Sequence, residues 1–251
     1  MLSISPEFLV NWIQQFPADM IMLGFFVFCC VILLVLMRIF GAVGLMIYAP
    51  VAVIAGNIQA LTATKFSFFA HPVALGTVAF SSLFLCSDIL TENYGKSKAQ
   101  QSVWLGFTGM LLLTVMMLVT LSYPTVSGGI YQRFQTAHDA IRILFMPAPA
   151  ILIASLVAYV VAQLNDIWIF AAISRLTAGK LLWLRTLAST IIGAFIDNLV
   201  FSSLAWIILA PKPLDWHTTF YTYVLGTFFI RVGISVVGIP FIYLSRLCVK
   251  K

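Results

Sequence analysis

Four carboxylates in this sequence stand where a carboxylate is expensive. Of the eight acidic residues, Glu7, Asp19, Asp139 and Asp215 fall in tails or connecting segments, where solvation accounts for them. Asp88, Glu92, Asp166 and Asp197 lie in or at the ends of long apolar runs. At the centre of a bilayer such a group costs about 2.5–3.5 kcal/mol on insertion scales, and retaining several implies that they face a cavity. Asp88 and Glu92 are four residues apart and share one helical face; Gln163 and Asp166, three apart, share another. Asp197 and Asn198 interrupt Ile191 to Ile208, a run otherwise almost wholly apolar or small. Arg231 is the one cation inside such a run, so it can neutralise one carboxylate and not the rest.

Each of these groups has a structural alternative: a solvated helix end with Glu92 reaching Lys96, a hinge at Gln163 and Asp166, an interhelical clamp between Asp197 and Arg231. The functional reading starts from the carboxylates that Arg231 leaves over. They must be protonated, hydrated, or answered by a ligand that donates hydrogen bonds. A carboxylate offers two acceptors side by side, and a guanine-type base offers N–H and NH₂ donors side by side, so the two pair bidentately. Asn57 and Gln59 add amides that donate and accept, although amides also serve as glue between helices. Tyr94, Trp168, Phe170, Trp183 and Phe195 lie close to the acids in sequence and offer faces for stacking; Trp and Tyr equally anchor helices at membrane interfaces. No HExxH, GxSxG, Walker or CxxC sequence occurs. His71, His138 and His217 fall in connecting segments, and Cys29, Cys30, Cys86 and Cys248 sit in apolar stretches with neither ligand nor disulfide spacing. The expectation is therefore a chain without enzyme chemistry, metal or cofactor.

The elements that must hold these side chains follow from composition. The 251 residues are 62% hydrophobic and 9% charged, with a mean hydropathy of +1.06. A soluble domain carries about 25% charged residues. The chain is thus an integral membrane protein, and at about 20 residues per span it has no room for a separate soluble domain. Seven spans can be drawn, at 18–39, 42–63, 72–92, 102–122, 144–170, 186–210 and 218–246, giving an all-α, polytopic transmembrane bundle. No Lys or Arg precedes Arg38, and the run from Met20 to Met37 is longer than a signal core, so the first span reads as a retained helix.

The cations fix an orientation. Arg38, Lys96, Lys98, Arg175, Lys180, Arg185, Arg246, Lys250 and Lys251 fall on one side, and Lys65, Arg133, Arg142 and Lys212 on the other. The positive-inside rule then places the N-terminus outside and the C-terminus in the cytoplasm. The net charge of +6 reports this asymmetry and implies no nucleic-acid partner. The fifth span is too long: Ile143 to Leu176 would make about 50 Å of helix against a hydrocarbon core of about 30 Å. It must tilt, bend or break, and the polar Gln163, Asn165 and Asp166 mark where a break would find partners for freed backbone groups.

Several motifs, in order, resemble those of the bacterial queuosine precursor transporters, also called the vitamin uptake transporter family. They are Ser87-Asp88-Ile89-Leu90-Thr91-Glu92-Asn93-Tyr94-Gly95-Lys96, Ala154-Ser155 to Tyr159 leading to Gln163-Leu164-Asn165-Asp166-Ile167-Trp168-Ile169-Phe170, Leu182-Trp183-Leu184-Arg185 with Ser189-Thr190, and Ile196-Asp197-Asn198-Leu199-Val200-Phe201. The resemblance runs from about Ala55 to the C-terminus. It implies a six-helix transporter core over residues 41–251, with residues 1–40 forming an N-terminal tail and an additional transmembrane helix. It also implies import of a 7-deazaguanine-type base, such as preQ0, preQ1 or queuine, across the cytoplasmic (inner) membrane for tRNA modification. The family's acidic, Gln-x-x-Asp, amide and basic positions correspond to Asp88, Glu92, Gln163, Asp166, Asp197, Asn57 and Arg231. Two departures are Ala150, where members often have Arg, and Asn198, where Thr is common.

The reading is a carrier in which Asp88, Asp166 and Asp197, with Gln163 and Asn57, line one midplane cavity and exchange access as a broken fifth helix rocks. A substrate-binding subunit of an energy-coupling-factor type vitamin importer is the main alternative, and a membrane enzyme or structural membrane protein the other. Homo-oligomer formation and the mode of energy coupling are left open by the sequence.

Overall fold

A computed structural model describes residues 5–67, 72–126, 128–146, 149–210 and 212–249. After a short exposed helix, α1 (Pro6–Ile13), capped by the Ser5 hydroxyl, come the long helices α2 (Ala18–Phe40), α3 (Ala42–Gln59), α4 (Thr77–Tyr94) and α5 (Lys96–Ser122). They are followed by α6 (Gln132–Phe145), α7 (Pro149–Leu176), α8 (Leu182–Ser203), the three-residue α9 (Trp216–Thr218) and α10 (Leu225–Cys248). A two-stranded hairpin, β1 (Ala63–Thr64) against β2 (Val73–Ala74), joins α3 to α4. Gly41 and Gly95 make the abrupt reversals at α2–α3 and α4–α5 with φ of 63° and 87°, a region that favours a residue without Cβ.

Among the described residues, six helices are long and apolar enough to cross a membrane. The third expected span, α4, falls short on hydropathy because it is the centre of the bundle. From Thr77 to Leu90 every side chain but Phe80 is buried, and α2, α3, α5, α7, α8 and α10 surround it. A helix faced by protein on all sides need not be apolar enough for lipid. Its hydroxyls are satisfied inside the bundle: Ser81 donates to the Thr77 carbonyl at 2.9 Å, and Tyr48 shares a 2.6 Å hydrogen bond with Ser82. The outer surface is the reverse, with Phe28, Val31 and Val35 of α2 and Leu112, Val115, Met116 and Val119 of α5 pointing outward at helical spacing. α2 nonetheless belongs to the core, burying Phe26, Cys29, Cys30, Leu33 and Met37.

Three sequence expectations are corrected. The fifth span does not break: α7 is a continuous helix of 28 residues, and the Asn165 amide, placed to rescue a broken ladder, donates to the Val161 carbonyl one turn back at 2.8 Å. The excess length is carried past the bundle, where Leu176 is exposed. The connection from Tyr123 to Ile143 contains α6, an amphipathic helix with no buried residue that touches the bundle chiefly through α5. Asp19, read as a solvated tail residue, sits in the first turn of α2 and accepts from both the Ser67 backbone N–H and its hydroxyl, tying down the hairpin.

One close approach sets where α4 begins. A Cβ on Gly76 would lie 2.3 Å from the Gly56 carbonyl oxygen, so the N-terminus of α4 meets the end of α3 backbone to backbone. Gly76→Ala has to push them apart, at about 1–3 kcal/mol. The expected result is a melting temperature several degrees below that of the parent protein in detergent; an unchanged value would contradict this packing.

Candidate functional site

Three helices carry matched stripes at a spacing of four. On α4 the stripe is Phe80, Phe84, Asp88 and Glu92; on α8, which runs the other way, it is Asp197, Gly193, Ser189 and Arg185; on α7 it is Ala158, Ala162, Asp166 and Phe170. Residues four apart stack on one helical face, so each stripe is about 18 Å of continuous surface. The stripes meet rung by rung and divide the polar residues into two sites.

The first is a cavity of about 350 Å³ at the end of the bundle that bears the hairpin. This is at the small end of the range of about 300–1,000 Å³ typical of small-molecule sites. Its polar lining comes from Asn57, Ser155, Asp197, Asn198 and Arg231, its apolar wall from Phe80, Phe201 and Ile151, and its exposed rim from Leu61, Ala63 and Pro72. Arg231 pairs with Asp197 Oδ2, and its guanidinium lies 5.9 Å from the Phe80 ring centre. Asn57 donates to the Val53 carbonyl at 2.8 Å and accepts from the Ser155 hydroxyl at 2.6 Å, so its Oδ1 and Nδ2 are fixed in direction. Asn198 donates to the Val224 carbonyl at 3.0 Å. Val224 ends a π-helical stretch, Thr219–Val224, and a second one, Leu204–Ile208, brings Trp206 to the cavity wall. Such π turns are often found at functional sites. The other family departure, Ala150, has a side chain outside those described.

The second site is buried towards the opposite end, where the C-terminus lies. Asp88 and Asp166 are fully enclosed. The Ser87 hydroxyl donates to Asp166 Oδ2 at 3.0 Å, and the Ser189 hydroxyl reaches Asp88 Oδ1 at 3.4 Å. One turn further along α4, Glu92 bonds Arg185 at 3.0 Å and Arg246 at 2.5 Å. Arg185 also donates to the Ser174 hydroxyl at 2.5 Å and lies over the Phe170 ring at 5.0 Å. This ion triad ties α4, α8, α10 and the end of α7 together and closes that end of the bundle. Between the two sites stands Phe84: a Cβ on Gly193 would come within 2.7 Å of its ring and 3.3 Å of the Asp166 Cβ.

The expected residues therefore separate. Asn57, Asp197, Asn198 and Arg231 converge on the cavity, whereas Asp88, Asp166 and Glu92 lie beyond Phe84 and do not line it. Gln163 is buried on α7 one turn before Asp166, also outside the cavity lining. The proposed stacking set does not assemble. Trp168 and Trp183 are 60% and 45% exposed on the outer surface, as interfacial anchors are. Tyr94 sits beside Gly41, the face of Phe170 is taken by Arg185, and Phe195 packs edge-on against Phe228 at 5.8 Å. Glu92 pairs with arginines from other helices and not with Lys96. Sequence reasoning missed Phe80, and it placed Arg185 in a loop although it is the largest fully buried side chain among the described residues.

Residues 74–245, which contain both stripes of α4 and α8, match the model of a family described as "Putative vitamin uptake transporter". The chain belongs to the vitamin uptake transporter family. It is 28% identical over 217 residues to the "Probable queuosine precursor transporter" of Bacillus subtilis, covering 86% of this chain and 89% of that protein. A protein of the same name from Haemophilus influenzae is 27% identical over 172 residues, covering 68% and 67%. No solved structure matches. This vitamin uptake transporter family member is accordingly a multi-pass membrane protein whose matched region carries both sites except Asn57 and Arg246 among their polar residues.

Proposed function

We propose that this protein is a carrier that takes a queuosine precursor, a 7-deazaguanine-type base such as preQ0, preQ1 or queuine, inward across the cytoplasmic membrane. The observation that carries the reading is Asp197, held by Arg231 in a cavity of about 350 Å³ within a membrane-spanning bundle. A carboxylate has about four lone-pair sites. With one accepting from Arg231, the remainder can take the paired N–H donors of the base edge. Asn57 and Asn198 supply amide groups at the same cavity, Phe80 supplies an aromatic face, and the relatives' names agree with this ligand.

Mechanistically, the cation asymmetry of the sequence sets the C-terminal end in the cytoplasm, so the cavity faces outward and the Glu92–Arg185–Arg246 triad closes the inner side. Base binding at Asp197 precedes a rearrangement in which Phe84 leaves Gly193 and the triad separates. With α7 unbroken, the movement is of whole helices against one another, as in carriers whose bundles rock about a fixed site.

The test is uptake of labelled preQ0, preQ1 and queuine by cells that cannot make queuosine and that lack an energy-coupling module. Uptake conferred by this chain alone is the expected result. None for any of the three bases would sink the reading. Within the same assay, Phe80→Ala should weaken apparent affinity by about 5- to 150-fold, the equivalent of 1–3 kcal/mol of base stacking. Trp168→Ala, on the outer surface, should leave it nearly unchanged, and the reverse order would return the stacking role to Trp168.

A further inference from the structure

We propose that Asp88 and Asp166 form a binding site for a monovalent cation, Na⁺, distinct from the base cavity and separated from it by Phe84. Only the coupling role of this site rests on the transport reading above; the binding of the ion does not.

The closed end is short of positive charge. Around the closed end the acids are the buried Asp88 and Asp166 and the partly buried Glu92, and the cations facing them are Arg185 and Arg246, which both pair with Glu92. Neither Asp88 nor Asp166 pairs with a cation among the described residues, so the cluster is one positive charge short. Asp197 cannot lend its partner, because Arg231 is committed on the far side of Phe84. The closed end also holds oxygens without partners. Asp88 Oδ2 and Asp166 Oδ1 are buried without a hydrogen-bond partner, and so is the hydroxyl of Thr186, itself 2% exposed. Thr186 is seven residues before Gly193, and a heptad drifts by only about 20° on a straight helix. Thr186 thus shares that face of α8, and, three residues from Ser189, it neighbours the hydroxyl that reaches Asp88. Ser87 and Ser189 already touch the two acids, at 3.0 and 3.4 Å.

The donor set is then two carboxylates and three hydroxyls, all oxygen, which is the chemistry of a hard cation. The deficit of one charge selects a monovalent ion over Mg²⁺ or Ca²⁺. One proton shared between the two carboxylates would supply the missing charge and partner both acids, but it would leave the Thr186 hydroxyl unanswered. A bound Na⁺ answers all of them. Its position next to Phe84 and Gly193 lets occupancy of the ion site bias the barrier that the base must pass.

The experiment is equilibrium binding of radioactive Na⁺ to the purified full-length protein in detergent, with K⁺ and choline as competitors. Saturable binding displaced by unlabelled Na⁺ and not by K⁺ or choline is expected. Asp166→Asn should abolish it. Thr186→Val, which keeps the shape and removes one ligand, should weaken it by about tenfold, with elution volume and base binding unchanged as evidence of folding. Wild-type protein that binds no Na⁺, or a Thr186→Val variant with wild-type affinity, would overturn the proposal. In proteoliposomes, base uptake that follows an inward Na⁺ gradient at equal pH supports coupling, and uptake that follows a pH gradient without Na⁺ removes it. Na⁺ binding without any base uptake leaves the ion site standing and defeats the transport reading alone.

Discussion

Arg231→Met lowers base binding and uptake by about 100-fold or more while leaving the bundle assembled. Removing one partner of a buried ion pair strands the other charge, at about 3–5 kcal/mol, and each 1.4 kcal/mol is tenfold in affinity. The pair is not sealed from water, with Arg231 and Asp197 side chains 9% and 13% exposed, so the lower end of that range applies. The loss falls on ligand binding because Arg231 both fixes the Asp197 carboxylate and lies over Phe80. Arg231→Lys should restore part of the function, since a point charge neutralises Asp197 but lacks the planar fork that orients it. The double variant Asp197→Asn with Arg231→Met should regain thermal stability without regaining binding, separating neutralisation from recognition. Wild-type uptake by Arg231→Met would remove the pair from the site.

Glu92→Gln has the largest expected effect on stability. Glu92 is the only described carboxylate bonded to Arg185, whose side chain is 2% exposed. A neutral amide leaves that guanidinium buried without its counter-charge, again at about 3–5 kcal/mol. The half-exposed Arg246 adds little, because solvent screens it. For a chain of this size 1 kcal/mol corresponds to about 2–4 °C, so the melting temperature should fall by about 6 °C or more. Replacing both charges, Glu92→Gln with Arg185→Met, should recover much of the loss, since an apolar pair of similar volume has no buried charge to strand. Equal melting temperatures for Glu92→Gln and the parent would show that the triad does not hold this end closed.

Both variants concern residues whose types stood out in the sequence, yet the sequence did not divide them correctly. Scarcity of charge pointed to Asp88, Glu92, Asp166, Asp197 and Arg231, and each is at a buried polar site or at the ion triad. The division into two sites was hidden because it depends on Phe84 and Gly193, an apolar residue and a small one with no chemistry of their own. The information was present as register: 80, 84, 88, 92 on one helix and 185, 189, 193, 197 on another, antiparallel. Reading each acid separately missed the apolar and glycine positions that complete the stripe.

Arg185 was misplaced for a related reason. Counting it among loop cations treats position in the chain as position in space, but its long side chain turns inward from the first turn of α8 to Glu92. The expected break in α7 failed because helix length was set against bilayer thickness alone. A helix can extend past its neighbours, as α7 does towards the exposed Leu176, and an Asn can bond its own preceding turn without opening the ladder. Trp168 and Trp183, chosen by nearness in sequence, face outward because one or two positions along a helix are enough to change the face. Trp168 is two positions from Asp166, and that is enough to turn it to the far side.

Equilibrium binding to the purified protein of a 7-deazaguanine base and of its analogue lacking the exocyclic amino group tests the central claim most directly. If Asp197 receives the paired donors of the base edge, the amino-bearing base binds more tightly by about tenfold, the equivalent of one hydrogen bond to a charged group. Asp197→Asn then erases the difference, whereas Asp19→Asn, at the hairpin tether, preserves it. Equal affinities of the wild-type protein for the two bases would contradict the account.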